Sequence, residues 1–230
     1  MENIDLDLNT QSVREINQFF HNLNSSDKRE FEILHPNGAH NIAVGLDAPI
    51  TVHIRGHAGY FIAGMNKQAE ITIHGNVGWS VGENMMSGVI RVNGFASECA
   101  GSSGHGGLLI IDGDASSRCG ISMKGSSIVV GGNVGHMSAF MAQAGYLLIC
   151  GDADHGLGDS LYEAIIYVRG KIHGLGTDAR EEQMEEPDYN KVSELLDMAK
   201  FNYDPKEFKR VASAKTFYHW SPNSKQFSVL

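Results

Sequence analysis

A glycine recurs every 19 residues through the middle of this 230-residue chain, seven times without an insertion. Aliphatic residues stand two and four positions before each glycine, and a small or branched apolar residue stands two positions after it. This period-two alternation predicts a β-strand with one buried face. One copy cannot bury that face alone, so the copies must stack. The repeated glycines are Gly56, Gly75, Gly94, Gly113, Gly132, Gly151 and Gly170.

The stacked repeats predict an all-β solenoid, a right-handed parallel β-helix of about seven 19-residue coils. Equivalent aliphatic residues would form ladders along a narrow core, with the coils about 4.8 Å apart. We expect the repeated glycines at tight corners whose left-handed or mirror-β backbone excludes a side chain. A second small column is expected where the core is narrowest, and comprises Ala63, Gly82, Gly101, Gly120, Ala139 and Gly158.

Glycine and proline divide the chain into three regions. All 27 glycines lie between Gly38 and Gly176, and no proline lies between Pro49 and Pro187. An open end of stacked coils invites aggregation, so we expect the flanking regions to cover the two ends. The predicted regions are 1–42 as an N-terminal helix and strand cap, 43–178 as the parallel β-helix, and 179–230 as an acidic linker, a helix and an aromatic tail.

Local signals place the elements of both flanking regions. Ser12–Glu15 matches a capping box that opens a helix, and Phe31–Leu34 is predicted as a short strand. A second helix is predicted to begin near Asp188. Glu181 and Glu182 are expected in a solvated acidic linker before it. The apolar face of the second helix is predicted to comprise Val192, Leu195, Leu196 and Ala199.

Composition excludes several classes of protein. The net charge of −9 argues against binding to nucleic-acid phosphates. No apolar run approaches the roughly 18 residues of a membrane span, and the acidic start lacks the pattern of a secretory signal. Three cysteines do not form a disulfide framework, which indicates a cytoplasmic location.

A search for catalytic, cofactor-binding and metal-binding residues in the sequence assigns none. His136 and His155 share a column of the repeat, and His173 falls one position earlier in the next coil. A metal could use such a ladder, but polar ladders are also common at the surface of coils, so the question stays open. The three cysteines lie in three different columns without a Cys-x-x-Cys pair, and Cys119 is expected to be a buried small hydrophobe.

Carbohydrate-active β-helices place several carboxylates on one strand face. The column directly before the repeated glycines holds a single acid, Asp112, which argues against that class. Methionine and aromatic side chains instead recur in the second half of the coils. Any single one of them fits the core, whereas the set would suit an apolar surface for another protein. The candidate partner interface comprises Met137, Phe140, Met141, Tyr218 and Trp220.

Five stretches between Ala43 and Asp178 resemble the GXGXG-motif β-helix family, which forms the C-terminal domain of the glutamate synthase large subunit. The resemblance is strongest to the stand-alone β-helix subunits of N-methylglutamate synthase (methylamine–glutamate N-methyltransferase) and related glutamate-synthase-like complexes. The stretches are Ala43–Pro49, His57–Tyr60, Gly82–Gly88, Arg118–Gly125 and Gly135–Gly145.

The resemblance implies a non-catalytic structural and coupling subunit. Its partners would be an amidotransferase-like subunit and an FMN-binding synthase subunit, which together convert methylamine and glutamate to N-methylglutamate and ammonia. FMN, and any iron–sulfur cluster, would belong to the partner and not to this chain. Three alternatives stay open: a subunit of a glutamine-dependent glutamate synthase, a scaffold like the β-helix subunit of formylmethanofuran dehydrogenase, and a free-standing β-helix enzyme acting on carbohydrate.

Overall fold

Parallel strands stacked in register form the body of the molecule. The computed structural model describes residues 4–215. Eight consecutive strands form an unbroken parallel stack, in which each strand pairs with the one before it. This confirms the predicted right-handed parallel β-helix of about seven turns. These strands are β2 Glu30–Leu34, β3 Thr51–Arg55, β4 Glu70–Ile73, β5 Val89–Val92, β6 Leu108–Ile111, β7 Lys124–Val130, β8 Ala144–Ile149 and β9 Ile165–Val168.

Two aliphatic ladders fill the core of the solenoid. In the first, Val52 pairs with Ile71, Ile71 with Ile90, and the column continues to Ile166 in β9. The second runs from Ile54 in the same way, and its residues are fully buried. A third ladder of isolated parallel bridges forms just after each repeated glycine, and comprises Ala58, Val77, Ala96, Ala115, Val134, Ala153 and Ile172. The predicted columns are therefore confirmed.

The repeated glycines are required for a different reason from the predicted one. Apart from Gly56, with a φ of 142°, their φ angles lie outside the left-handed region. Each instead faces the backbone one coil earlier. A Cβ on Gly75 would lie 2.7 Å from the carbonyl carbon of Gly56, and one on Gly113 would lie 2.9 Å from the carbonyl oxygen of Gly94. The corner prediction is therefore wrong for the six glycines from Gly75 to Gly170, where close stacking on the previous coil excludes a side chain.

The residues of the second small column are left-handed. Gly82, Gly101, Gly120 and Gly158 have φ angles between 67° and 71°. Ala63 and Ala139 are left-handed as well, with φ angles of 55° and 57°. Larger residues of the same turns, such as Met137 and Met141, are left-handed as well, so this conformation alone does not require a small residue. The narrow core does, since a Cβ on Gly101 would lie 2.5 Å from Ile128 Cδ1. The two small columns therefore have separate physical causes.

Gly132→Ala should destabilise the fold by about 1–3 kcal/mol, because the new methyl group would overpack against the preceding coil. Its Cβ would lie 2.1 Å from Asp114 Oδ1 and 3.0 Å from both the carbonyl carbon of Gly113 and the amide nitrogen of Asp114. The matched control is Gly64→Ala, since a Cβ there has no contact closer than 3.5 Å. Urea unfolding of both variants measures the difference, and equal losses would contradict the stacking explanation.

The N-terminal region covers one end of the core and also contributes to the sheet. Helix α1, Val13–His21, begins with the predicted capping box, in which Ser12 Oγ accepts the Glu15 N–H and Glu15 Oε2 accepts the Ser12 N–H at 2.7 Å. Phe20 of α1 packs edge-on against Phe31 with ring centroids 5.3 Å apart. Strand β1, Ile4–Asp7, pairs in parallel with β2. The parallel stack therefore begins before the boundary predicted at residue 43.

The C-terminal helix lies on the outer face of the sheet. Helix α2, Glu186–Ala199, begins two residues before the predicted start and ends where its Ala199 carbonyl accepts a hydrogen bond from Arg91. Neither α1 nor α2 is long and apolar enough to span a membrane. The predicted apolar face of α2 is confirmed, since all four residues are buried. They pack against outward-facing sheet residues, which include Leu108, Ile110, Val129, Leu148 and Tyr167.

The far edge of the solenoid is covered by a strand pair. Strand β11, Lys209–Ser213, pairs antiparallel with β9, and β10, Ala179–Glu182, pairs antiparallel with β11. The prediction that Glu181 and Glu182 lie in a linker is wrong, since both belong to β10. A short 3₁₀ helix, Pro205–Glu207, joins α2 to β11. The C-terminal region therefore provides both a cover for the outer face and a closing edge.

Leu195→Ala should lower the free energy of unfolding by about 2–4 kcal/mol, because it removes a buried side chain between α2 and the sheet. Met198→Ala on the same helix is the control, since Met198 is 48% exposed and its loss should change stability by less than about 1 kcal/mol. Chemical denaturation compares the two variants. A small effect of Leu195→Ala would show that α2 contributes little to the fold.

Candidate partner-binding surfaces

Large apolar side chains are exposed on the turns of the coils. Within residues 4–215, eight such side chains in the turns are between 41% and 51% exposed. Large exposed apolar patches often mark interaction sites, and aromatic residues and methionine are enriched at protein interfaces. The eight residues are Tyr60, Phe61, Met65, Trp79, Met86, Phe95, Met141 and Tyr162.

Three of the five predicted interface residues lie together in the turn between β7 and β8. Met141 is exposed, and Met137 and Phe140 are half-buried. The backbone holds them in place, because the Met137 N–H donates to the His155 carbonyl and the Met141 N–H donates to the Asp159 carbonyl, each at 2.9 Å. We name Met137, Phe140 and Met141 the methionine turn. The other two predicted residues, Tyr218 and Trp220, lie outside the described residues.

The remaining methionines show why sequence alone could not define this surface. Met85 and Met123 occupy turns of other coils but are buried in the core. Met86, next to Met85, is 46% exposed. Adjacent residues of one turn can therefore differ in burial, and the backbone of that turn decides which side chain is exposed.

A second apolar surface, the aromatic ladder, consists of His40, Tyr60 and Trp79. The rings of His40 and Tyr60 stack with centroids 4.5 Å apart, and those of Tyr60 and Trp79 stack at 5.2 Å with an angle of 14° between planes. Gly78 makes this approach possible, since a Cβ there would lie 2.5 Å from Tyr60 Cδ1. Stacked aromatic pairs contribute about 0.5–1.5 kcal/mol each beyond their burial, so the ladder is held in position before any partner binds.

The sequence analysis missed the aromatic ladder, although part of it was visible. Tyr60 and Trp79 both lie four residues after a repeated glycine, so the 19-residue register places their side chains one above the other. His40 precedes Tyr60 by 20 residues and is out of that register. Only the folded path of the chain between β2 and β3 brings its ring onto the stack.

A polar ladder was also missed, in the column directly after the repeated glycines. Asp114 Oδ1 accepts the Asn133 N–H at 2.7 Å, and Asn133 Oδ1 accepts the Asp152 N–H at 2.7 Å. Asn76 and Asp152 accept the corresponding N–H groups of Phe95 and Lys171. Each side chain thus satisfies a backbone donor of the following coil. The signal was present as a run of Asn and Asp at 19-residue spacing.

The histidine column does not assemble into a metal centre in the described structure. The rings of His155 and His173 lie 6.0 Å apart, while His136 makes no ring contact with either. His155 Nδ1 lies 2.8 Å from Asp154 Oδ1, which is a surface pair between exposed groups. Within residues 4–215, no group of three or more His, Cys, Asp or Glu is arranged to hold a metal ion.

Three acids on the outer sheet face form ion pairs with neighbouring bases. Glu30 contacts His53 at 3.0 Å, and Glu32 forms a paired contact with Arg55. His74 Nε2 lies 2.9 Å from Arg55 Nη1, and burial together with that positive charge lowers the pKa of His74. Farther along, Asp112 pairs with Arg91 at 2.7 Å. These acids pair with bases and do not converge on an open groove.

One curated protein is similar over nearly the whole solenoid and both flanking regions. Protein GlxC of Rhizobium meliloti (strain 1021) is 49% identical over 218 residues, which cover 94% of this chain and 96% of that protein. The chain belongs to the GlxC family. No protein-family model matches it, and no solved structure matches it. The name GlxC specifies no activity, so membership in the GlxC family identifies relatives without assigning a reaction.

The cysteines of this GlxC-family chain are held as thiols in apolar surroundings. Cys119 and Cys150 are buried, and Cys99 is half-buried. Burial raises the pKa of both Cys119 and Cys150 to about 12. Burial also raises the pKa of Cys99, with a further contribution from the charge of Glu98. The thiolate is the reactive form, so all three should be poor nucleophiles at neutral pH. The prediction that Cys119 is buried is confirmed.

Thiol labelling with Ellman's reagent at pH 8 should reach at most Cys99 in the native protein, and slowly, because the other two thiols are buried and stay protonated. All three should react after unfolding in guanidinium chloride. Cys99→Ser is the control that should abolish the native reaction. Rapid labelling of two or three thiols in the native state would contradict the packing described here.

Proposed function

We propose that this chain is a non-catalytic structural and coupling subunit of a glutamate-synthase-type complex, and specifically of an N-methylglutamate synthase. It would hold an amidotransferase-like subunit and an FMN-binding synthase subunit in a fixed relation. Those partners would convert methylamine and glutamate to N-methylglutamate and ammonia. FMN, and any iron–sulfur cluster, would be bound by the synthase subunit, and we place the complex in the cytoplasm.

The observation that carries the proposal is the presence of two separate apolar surfaces on one rigid solenoid. The aromatic ladder lies on the first coils and the methionine turn lies near the last ones. Tyr60 and Phe140 are four coils apart, which corresponds to roughly 19 Å along the solenoid axis. Two surfaces at a fixed separation suit a subunit that binds two partners at once. Stacked aromatic rings and exposed methionines also match the composition of protein interfaces.

The architecture is suited to holding partners in place. Each coil packs directly on the backbone of the previous coil at the repeated glycines, and the side chains of the polar ladder form hydrogen bonds between successive coils. Such close packing leaves little freedom for adjacent coils to shift. A partner bound at one end would therefore keep a constant position relative to a partner bound at the other end.

The choice of methylamine rests on the resemblance of the turns to stand-alone β-helix subunits of N-methylglutamate synthase. That resemblance transfers no catalytic residue to this chain. The synthase subunit would select the amine, so the scaffold role of this chain does not depend on which amine the complex uses. A related complex that uses ammonia would require the same two surfaces.

Affinity purification of the tagged chain from its native host tests the proposal. We expect an amidotransferase-like protein and a yellow FMN-containing protein to co-purify, identified by mass spectrometry and by the visible absorbance spectrum. The eluted complex should form N-methylglutamate from methylamine and glutamate, while the isolated chain should form none. A chain that elutes alone and colourless under gentle conditions would contradict the proposal, as would turnover of a carbohydrate by the chain itself.

Replacing Phe140 and Met141 together with Ser should weaken binding of one partner about tenfold or more, since interface anchors typically contribute over about 1 kcal/mol each. The melting temperature should change little, because Met141 is 41% exposed. Met198→Ser, an exposed methionine on α2, is the control and should bind normally. Unfolding of the double variant would instead show that Phe140 and Met141 belong to the core.

A further inference from the structure

A groove of about 430 Å³ lies between one face of α1 and the chain segment that contains His40 and Asn41. His40 lines this groove and is also the first ring of the aromatic ladder. The groove and the ladder therefore form one continuous surface at the N-terminal end of the solenoid.

The groove is unusual in its charge. The whole chain carries a net charge of −9, yet no Asp or Glu lines the groove. Arg14 of α1 does line it, and its side chain is exposed. Within residues 4–215 the Arg14 guanidinium forms no hydrogen bond or ion pair. A cationic donor is thus available in a groove whose lining contains no carboxylate.

Hydrogen bonding fixes His40 as a second donor. Its Nδ1 accepts the Tyr60 N–H at 2.8 Å, so in the neutral ring the proton must be on Nε2. The groove consequently combines an arginine and an imidazole N–H, beside the partly exposed rings of Tyr60 and Trp79. Arginine binds carboxylates through paired, charge-assisted hydrogen bonds.

We propose that the groove and the aromatic ladder together bind a segment of a partner protein that carries a carboxylate beside an apolar side chain. The carboxylate would pair with Arg14, and the apolar side chain would lie against Tyr60 and Trp79. This inference rests on the proposed function only in expecting that a partner protein exists. It specifies where one partner binds and the chemistry that the partner presents.

The residue types of this surface, and the fixed positions of its aromatic rings, favour a protein partner. Trp, Tyr and Arg are the residues that most often dominate the binding energy of protein interfaces. The ladder is already stacked, so binding would restrict few additional side-chain rotations. Exposed aromatic rings can also stack on nucleic-acid bases, but the net charge of −9 would repel the phosphates.

Photo-crosslinking in the native host tests the inference. The photoreactive residue p-benzoylphenylalanine replaces Trp79 in the tagged full-length chain, cells are irradiated, and mass spectrometry maps the product. A second strain carries it at Phe61, which is 43% exposed beside Tyr60, in case substitution of Trp79 itself removes the contact. Each strain is combined with Arg14→Glu or with the matched control Arg118→Glu, an exposed arginine in a later coil.

We expect one product with a partner protein, mapped to a segment that contains Asp or Glu. Arg14→Glu should lower its yield about tenfold, and Arg118→Glu should leave it unchanged, since only Arg14 lines the groove. The inference is overturned if neither position gives a product, if the product forms with a second copy of this chain, if the segment has no carboxylate, or if Arg14→Glu has no effect. Melting temperatures of the variants establish that the fold is retained.

The result also separates this inference from the proposed function. A crosslinked product that depends on Arg14 but forms with a protein unrelated to glutamate synthase would support the proposed binding surface and contradict the scaffold role. Co-purification of both expected partners without any product at Trp79 or Phe61 would support the scaffold role and overturn the surface.

Discussion

The close stacking of backbone on backbone at the repeated glycines is the constraint on which the rest of the structure depends. Each coil follows the one before it so closely that a Cβ would overlap a carbonyl group or an amide of the previous coil. This contact keeps the 19-residue register, and the register in turn aligns the aliphatic ladders of the core. An insertion in one coil would displace every ladder that passes through it.

The same register arranges the surface. Side chains at equivalent positions of successive coils lie one above another, so a pair of aromatic residues becomes a stack and a run of Asn and Asp becomes a hydrogen-bonded ladder. The two faces of the solenoid differ as a result. Helix α2 covers the apolar part of the sheet, whereas the turns leave aromatic and methionine side chains exposed. The turns are therefore where partner binding is proposed.

The repeat could be predicted from the sequence because its period and its apolar alternation are local signals, and the capping box of α1 and the apolar face of α2 are local as well. The reason for the repeated glycines could not be predicted from the sequence, since a left-handed corner and a close backbone contact both require glycine. The position of α2 on the sheet could not be predicted either, because an apolar helix face does not specify which surface it covers. The residues of the methionine turn were predicted from the recurrence of methionine and aromatic residues in the coils. His40 could not be assigned to the aromatic ladder, because it is out of the 19-residue register and only the fold brings its ring onto Tyr60.

Hydroxyl-radical footprinting of the free chain and of the purified complex tests the central claim most directly, because aromatic and methionine side chains are among those that it oxidises fastest. The account predicts that Tyr60, Trp79 and Met141, all exposed in the free chain, become protected in the complex. Met198, exposed on α2, should be oxidised equally in both. Unchanged oxidation of the turns, or protection confined to α2, would contradict a scaffold that binds its partners through the turns of the β-helix.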